Sequence, residues 1–467
     1  MKSIFLLLTL LTVAGLSYAQ SPQAGSLTGI VTANGQPVSF ATVALAKTKF
    51  GAVADSAGRF SLSGIPAGRY ELLASAVGYL TQKQPITVQA GKPLDLIISL
   101  PSAQNFLNEV VVSGTLKEVS KSESPVAVDI ITPKFLFKNP TPSIFEGLSY
   151  VNGVRPQLNC NVCNTGDIQI NGLEGPYTMV LIDGVPIVSG LSTVYGLTGI
   201  PNSLIERIEI VKGPASTLYG SEAVGGLINI ITKNPAKAPV FAADAFGTSY
   251  GELNVDVGAK FTVGQKATSL LGVNYFNYQN PVDKNGDGFT DLTLQHRVSV
   301  FNKWQFVRKE NRLATIAARY YYEDRWGGDV RWTRADRGGD DRYGESIFTK
   351  RWEVIGAYQL PVPGKVTLQY SFNDHNQNSY YGTTPYFADQ KIAFAQLLWD
   401  KTAGRHSLLV GTPFRYTYYD DNTPATGTPE GRNRPSQTYL PGVFVQDEIS
   451  VGRDKLLLGA RYDYNSI

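Results

Sequence analysis

The side chains of this chain whose types and spacing could do chemistry are few: two cysteines, three histidines and one acidic loop. Cys160-Asn161-Val162-Cys163 sets the two thiols three positions apart. In an oxidising compartment the pair is expected as a disulfide across a tight loop, where it would stiffen the loop locally, because closing so short a ring removes little chain entropy. The alternative is two thiolates meeting a soft metal or metal chelate. With no further cysteine in the chain, a four-cysteine structural zinc site is excluded. Asp283, Asn285, Asp287 and Asp291 fall at the first, third, fifth and ninth places of a calcium loop, with Gly288 at the sharp turn and the Phe289 carbonyl next to it. The closing place holds Leu294 instead of a bidentate glutamate, so weak calcium binding and a plain Asn-Gly-Asp-Gly turn stand side by side. His296, His375 and His406 are scattered and no nucleophile elbow accompanies them, so neither an enzyme nor a required cofactor is expected.

The elements that must position these residues are β-strands. Lys2, the apolar run Ile4 to Leu16 and Ser17-Tyr18-Ala19 read as a secretory signal peptide cut before Gln20. No later run is long and apolar enough for a membrane helix, so any membrane crossing must use a closed β-barrel, where all backbone groups pair without water. The charges, 42 basic against 39 acidic, are too evenly balanced to imply nucleic-acid binding. From Leu27 to Leu100, short alternating runs broken by Asn34-Gly35, Ala57-Gly58, Pro66-Ala67-Gly68 and Ala90-Gly91 predict a β-sandwich.

After Thr232 the segments lengthen. Val255, Val257, Ala259 and Phe261 alternate with Asn254, Asp256, Gly258 and Lys260, and Leu458, Ala460, Tyr462 and Tyr464 alternate with Gly459, Arg461 and Asp463. Such a dyad is the membrane-barrel pattern, lipid on one face and lumen on the other. About eleven strands are expected. Short connections fall at 263–265, 309–311, 361–364, 403–404 and 452–454, and long polar ones at 280–291, 324–345, 376–387 and 420–437.

Between these parts lie Gly166-Asp167-Ile168-Gln169-Ile170-Asn171-Gly172-Leu173, Met179 to Pro186, Ile205 to Pro214 and Leu218 to Thr232, β-branched runs punctuated by glycine that predict a small mixed sheet. In this order the four blocks resemble the plug domain of TonB-dependent outer-membrane receptors. Gly29-Ile30-Val31, Asp55 to Phe60 and Ile65 to Tyr70 resemble the carboxypeptidase-regulatory-like sandwich that often precedes such receptors and acts there as a non-catalytic module. The fold so implied is mostly β: an N-terminal β-sandwich, an α+β plug domain and the first half of a transmembrane antiparallel β-barrel, since the family barrel has about twenty-two strands. The expected divisions are 1–19, 20–100, a linker over 101–121, plug over 122–235, and barrel over 236–467.

The resemblance carries further expectations. Glu109, Val110, Val111, Val112, Ser113, Gly114 and Thr115 look like the Ton box, the strand captured by a TonB-type energy-coupling protein of the inner membrane; its β-branching suits pairing with a sheet edge. Cys160, Cys163 and Tyr177 are the expected ligand contacts at the plug apex. The ligand would be a scarce metal chelate (siderophore, haem or cobalamin), and the place the outer membrane of a Gram-negative bacterium, in contact with its lipid, with the sandwich and Ton box in the periplasm. A glycan or peptide importer, or a non-transporting adhesion or signalling platform, is the alternative. If the acidic loop binds calcium, it does so on the extracellular side. Finally Arg207, Lys212, Glu206, Glu209 and Glu222 are expected to pair with wall residues such as Arg461 or Asp463 in place of apolar contact.

Overall fold

The computed structural model describes residues 24–466, apart from 34, 77–78, 102–109, 142, 161–164, 188–196 and 453. The expected signal peptide, Glu109 and Cys163 therefore lie outside the described residues. The chain divides into two compact units, Met1–Glu109 and Val110–Ile467.

The first unit is the expected sandwich. Strand Gly25–Ala33 pairs antiparallel with Arg59–Ile65 on one side and parallel with Pro93–Ser99 on the other, and Thr42–Leu45, Gly68–Ser75 and Gln82–Val88 form the core of a second sheet. Alternation decides which side chains meet between the sheets: Leu27, Val31, Val43, Leu45, Leu62, Leu72 and Val88 are all buried there.

The second unit holds the small mixed sheet. Its order is Val128–Ile131, Ile205–Lys212, Gly226–Thr232, Thr178–Ile182, Val185–Pro186, with Thr178–Ile182 and Gly226–Thr232 parallel and the other pairs antiparallel. Asp183-Gly184 closes the last hairpin with both residues at positive φ, 50° and 77°, a conformation Asp-Gly adopts readily. Two expectations are corrected. A strand outside the four blocks, Val128–Ile131, forms the edge of the sheet and gives partners to one side of Ile205–Lys212. The block Gly166 to Leu173 instead forms a separate hairpin, Val154–Cys160 with Thr165–Ile170, because its glutamines, arginine and aspartate leave it a single apolar stripe. Helix Ile144–Gly147 is started by the Ser143 hydroxyl accepting the Glu146 N–H at 3.3 Å and runs into the 3-10 turn Leu148–Tyr150.

Around this sheet runs a wall of eleven antiparallel strands in sequence order, from Phe241–Gly247 to Asp454–Asp463. The short connections fall where expected. Two long ones do not: the strands around 324–345 continue to Gly328 and resume at Gly344, and the loop expected over 376–387 shrinks to a tight turn between Lys365–Tyr381 and Thr384–Ala403. Over Asn376 to Ser379 both faces of the strand are polar, so hydrophobic alternation fades there while the backbone ladder continues.

The sandwich core makes a measurable demand. Residues 24–100 expressed alone should unfold cooperatively in urea, and Leu72→Ala should lower their stability by about 2–5 kcal/mol. A gradual, non-cooperative transition would show that this core does not stand by itself.

Candidate functional site

Strands Ile205–Lys212 and Gly226–Thr232 put Glu209 and Asn229 directly opposite each other. Cross-strand partners share a face. Both side chains are fully buried, and what covers them is the segment Val110 to Thr115. Glu209 Oε2 accepts from the Val112 N–H at 2.9 Å, the Ser113 N–H at 2.8 Å and the Ser113 hydroxyl at 2.6 Å. Its other oxygen takes the Arg207 guanidinium at 2.7 Å, so both carboxylate oxygens are met. Asn229 donates to the Ser113 hydroxyl at 2.9 Å and accepts from the Gly184 N–H at 3.0 Å. The Tyr219 hydroxyl donates to the Ser113 carbonyl at 3.1 Å. Burial, then the charge on Glu209, pushes the Tyr219 phenol above its ordinary range, so it stays a donor at any physiological pH.

The segment itself is two strand residues, Val110–Val111, paired antiparallel with Val119–Ser120, followed by a turn. Val111, Ser113 and Thr115 are almost wholly inaccessible, and Val111 packs with Val211, Leu218, Tyr219 and Leu227. Beyond the turn, Lys117 reaches Asp400 at 2.8 Å, the Ser407 hydroxyl at 2.8 Å and the Leu408 carbonyl at 3.1 Å, all at the short-turn end of the wall.

Of the charges expected to join sheet and wall, Glu222 does so, through Arg415, and Arg207 and Lys212 do not. Arg207 and Lys212 pair inside the sheet domain, with Glu209 and with Asp129 at 2.6 Å, and neither reaches Arg461 or Asp463. Contacts that cross include Lys303 to Asp183 at 2.8 Å, Arg415 to Glu222 at 2.7 Å, and Arg461 to the Leu218 carbonyl at 2.8 Å. Apolar contact crosses as well: wall residues Ile355 and Phe394 join one core of the sheet domain, and Leu398, Leu409 and Phe444 join the other. A single-layer sheet has two apolar faces to cover, and the wall completes both.

The segment after Val185–Pro186 is anchored at its two described ends. Ser371 donates to the Pro186 carbonyl at 2.8 Å and Arg351 to the Ile187 carbonyl at 2.6 Å; Thr198 and Tyr321 share a hydroxyl contact at 2.9 Å. Behind them Glu353 sits between Arg319 and Arg351, all three buried.

Of the ligand residues expected from sequence, Tyr177 ends a 3-10 turn, Gly175–Tyr177, and is half exposed, while Cys160 ends its strand. The expected disulfide or thiolate pair involves Cys163 and falls outside the described residues. Asp283, Asn285, Asp287, Phe289 and Asp291 do share one loop. Their side-chain oxygens face its own amides: Asp283 accepts from Gly286 at 2.7 Å and Gly288 at 2.9 Å, Asp287 from Phe289 at 2.8 Å, and Asp291 from Lys284 at 2.7 Å. The turn thus supplies a partner for each carboxylate, and among the described residues no group of three or more His, Cys, Asp or Glu is placed to hold a metal ion. Sequence reasoning did not assign Glu209 and Asn229 their role; a carboxylate and an amide at apolar strand positions were the available signal.

Comparison with known proteins agrees with this architecture. Residues 120–227 match the TonB-dependent Receptor Plug Domain model, and residues 27–112 match the CarboxypepD_reg-like domain. Among solved structures, the chain is similar to the siderophore receptor PirA from Pseudomonas aeruginosa (17% identity, TM-score 0.52, 73% of this chain and 56% of that one). It is also similar to FpvA from P. aeruginosa, solved with an iron pyoverdine (14%, 0.56, 76% and 54%). A ferric enterobactin receptor mutant from Pseudomonas aeruginosa, PfeA in complex with enterobactin, matches at 17% identity (0.55, 73% and 58%). At these identities the likeness is one of fold, and the chain spans a little over half the length of each structure it matches.

If Glu209 is what holds the Val110 to Thr115 segment, Glu209→Ala should let the Val112 and Ser113 amides exchange at least about tenfold faster, since each bond to a charged acceptor is worth about 1.5–3 kcal/mol. Hydrogen-exchange mass spectrometry of the full-length protein reads this directly, and unchanged protection would remove Glu209 from the role.

Proposed function

We propose that this chain, a TonB-dependent receptor carrying an N-terminal carboxypeptidase-regulatory-like domain, takes up a metal chelate of siderophore type across the outer membrane of a Gram-negative bacterium. On this reading the long-loop end of the wall faces outward and the short-turn end, where Lys117 docks, faces the periplasm. The observation that carries it is the seat of Val110 to Thr115 on Glu209 and Asn229. A partner that captures this segment as an added strand pulls on the two strands that form the middle of the plug sheet.

The pull has graded resistance. The hydrogen bonds to Glu209 break first, and in a group so buried each resists more than a surface pair would. Behind them stand the crossing pairs Lys303–Asp183, whose lysine is buried, and Arg415–Glu222, which is partly exposed and worth about 0–1 kcal/mol. The named cargo of the similar structures (pyoverdine, enterobactin) supports the siderophore class, and Cys160, Cys163 and Tyr177 are proposed ligand contacts.

Transport and binding separate in one experiment. In the host of the full-length gene, deletion of Val110 to Thr115 should abolish energised accumulation of ferric siderophore while leaving its binding at the cell surface unchanged. Uptake that survives the deletion would end this reading and leave the adhesion or signalling platform in its place.

A further inference from the structure

The two ends of the wall carry different charge. Its first four short connections, 264–266, 307–313, 360–364 and 404–405, hold five basic residues and one acidic, whereas the connections at the opposite end, 248–252, 279–293, 329–343, 382–383 and 422–435, hold seven basic and nine acidic. Only the short-turn end is therefore a cationic rim. Its single acid, Glu310, already binds Arg312 at 2.6 Å. Lys266, Lys309 and Arg405 are exposed and form no ion pair among the described residues.

The face on which this rim sits follows from the plug contacts. Lys303 reaches plug residue Asp183, and Ile355 and Leu398 join the plug cores. Strand side chains alternate, so Trp304, Phe306, Tyr358, Trp399 and Lys401, each an odd number of residues from one of these, face away from the plug. On strand Thr384–Ala403 the side chains of that face running from Trp399 toward the far end are Leu397, Ala395 and Ala393, uncharged until Lys391. Trp399 thus stands at the edge of a lipid-facing band, where aromatic side chains belong. Cations ride on this edge: the Arg308 guanidinium lies 4.0 Å from the centre of the Tyr358 ring, and Lys401 Nζ lies 5.7 Å from that of Trp399. Val307, Leu313 and Val362 in the turns are exposed as well, so apolar surface continues past the aromatic edge into the cationic rim. Of the carboxylates near it, Asp447, three residues from the plug-packed Phe444, shares the outward face and is taken by His406 at 2.6 Å, while Asp400 has the opposite parity and binds Lys117 at 2.8 Å. Apolar groups at the height of the rings with cations just beyond them match an anionic lipid, whose acyl region takes the first and whose headgroup meets the second. A water-soluble acidic partner would use the charges and leave the turn valines and leucine in water.

We propose that the short-turn rim of the wall selects anionic phospholipid in the periplasmic leaflet of the outer membrane, with Lys266, Arg308, Lys309, Lys401 and Arg405 meeting the headgroups. The proposal rests on the outer-membrane reading above, which sets the short-turn end in the periplasm, and adds to it a lipid species and the residues that choose it.

The test reconstitutes the full-length receptor in bilayers and obtains, from electron spin resonance of spin-labelled phosphatidylglycerol and phosphatidylcholine at its perimeter, their relative association constant. Wild type should favour phosphatidylglycerol about two- to fourfold at low salt, and about 0.5 M sodium chloride should bring the ratio toward one. The combined variant Lys266→Gln, Lys309→Gln, Lys401→Gln and Arg405→Gln keeps the Arg308 bond to the Gln359 carbonyl and should lose at least half of the excess over one, whereas Arg432→Gln with Arg434→Gln at the other end should retain it. If the combined variant does not fold, the salt series on wild type decides. A ratio of one in wild type, a preference that salt leaves unchanged, one that the combined variant keeps, or one lost equally in the Arg432 and Arg434 variant overturns the proposal. A ratio of one together with salt-sensitive retention on purified peptidoglycan assigns the rim to the cell wall and overturns it too. The ratio is read without siderophore, so a receptor that transports none still reports it, and a ratio of one leaves uptake standing.

Discussion

A carboxylate with no access to water must be surrounded by donors, and at Glu209 that requirement organises the sheet domain. Arg207 supplies the charge and a neighbouring segment supplies two amides and a hydroxyl. Neither strand of the sheet could meet Glu209 Oε2 with its own backbone, since those amides are committed to the ladder. The docked segment is therefore part of how the resting domain satisfies its own core. Without that segment the buried charge on Glu209 would have to be met by water.

The same rule explains the wall. Glu353 between Arg319 and Arg351 lies opposite the ends of the segment bounded by Pro186 and Thr198, and surplus donors on Arg351 and Ser371 are spent on its carbonyls. Removing Glu353 would leave two buried guanidinium groups facing each other, the kind of uncompensated burial that costs about 3–5 kcal/mol. The wall thus holds the sheet domain by two unlike means. Apolar contacts from Ile355, Phe394 and Phe444 fix its position without direction, while the few crossing ion pairs and carbonyl contacts fix its register.

Much of this was legible in the chain because it rests on local periodicity. Val255 to Phe261 alternates with a period of two whatever lies around it, and Asp183-Gly184 favours its turn from its own backbone preferences. Where periodicity lapsed, the reading lapsed with it: the polar strand ends at Asn376 to Tyr381 carry ladder hydrogen bonds that no side-chain pattern announces. Val128 to Ile131 is too short for a period to be distinguished, and it became a strand because Ile205 to Lys212 had an edge to be paired.

The sequence by itself determined the order of the parts, the strand character of the wall, and the resemblance carried by the blocks from Gly166 to Lys233. Those properties follow from residue type and spacing along the chain. The tertiary structure alone decided partners. Arg207 and Glu209 were both read as charges that reach the wall; Arg207 binds Glu209, two positions away on the same face, and Glu209 is the seat of Ser113, ninety-six residues earlier. A charge shows its sign in the sequence. Which opposite charge it meets depends on which surfaces fold against it, and whether the pair is worth much depends on how much water folding excludes.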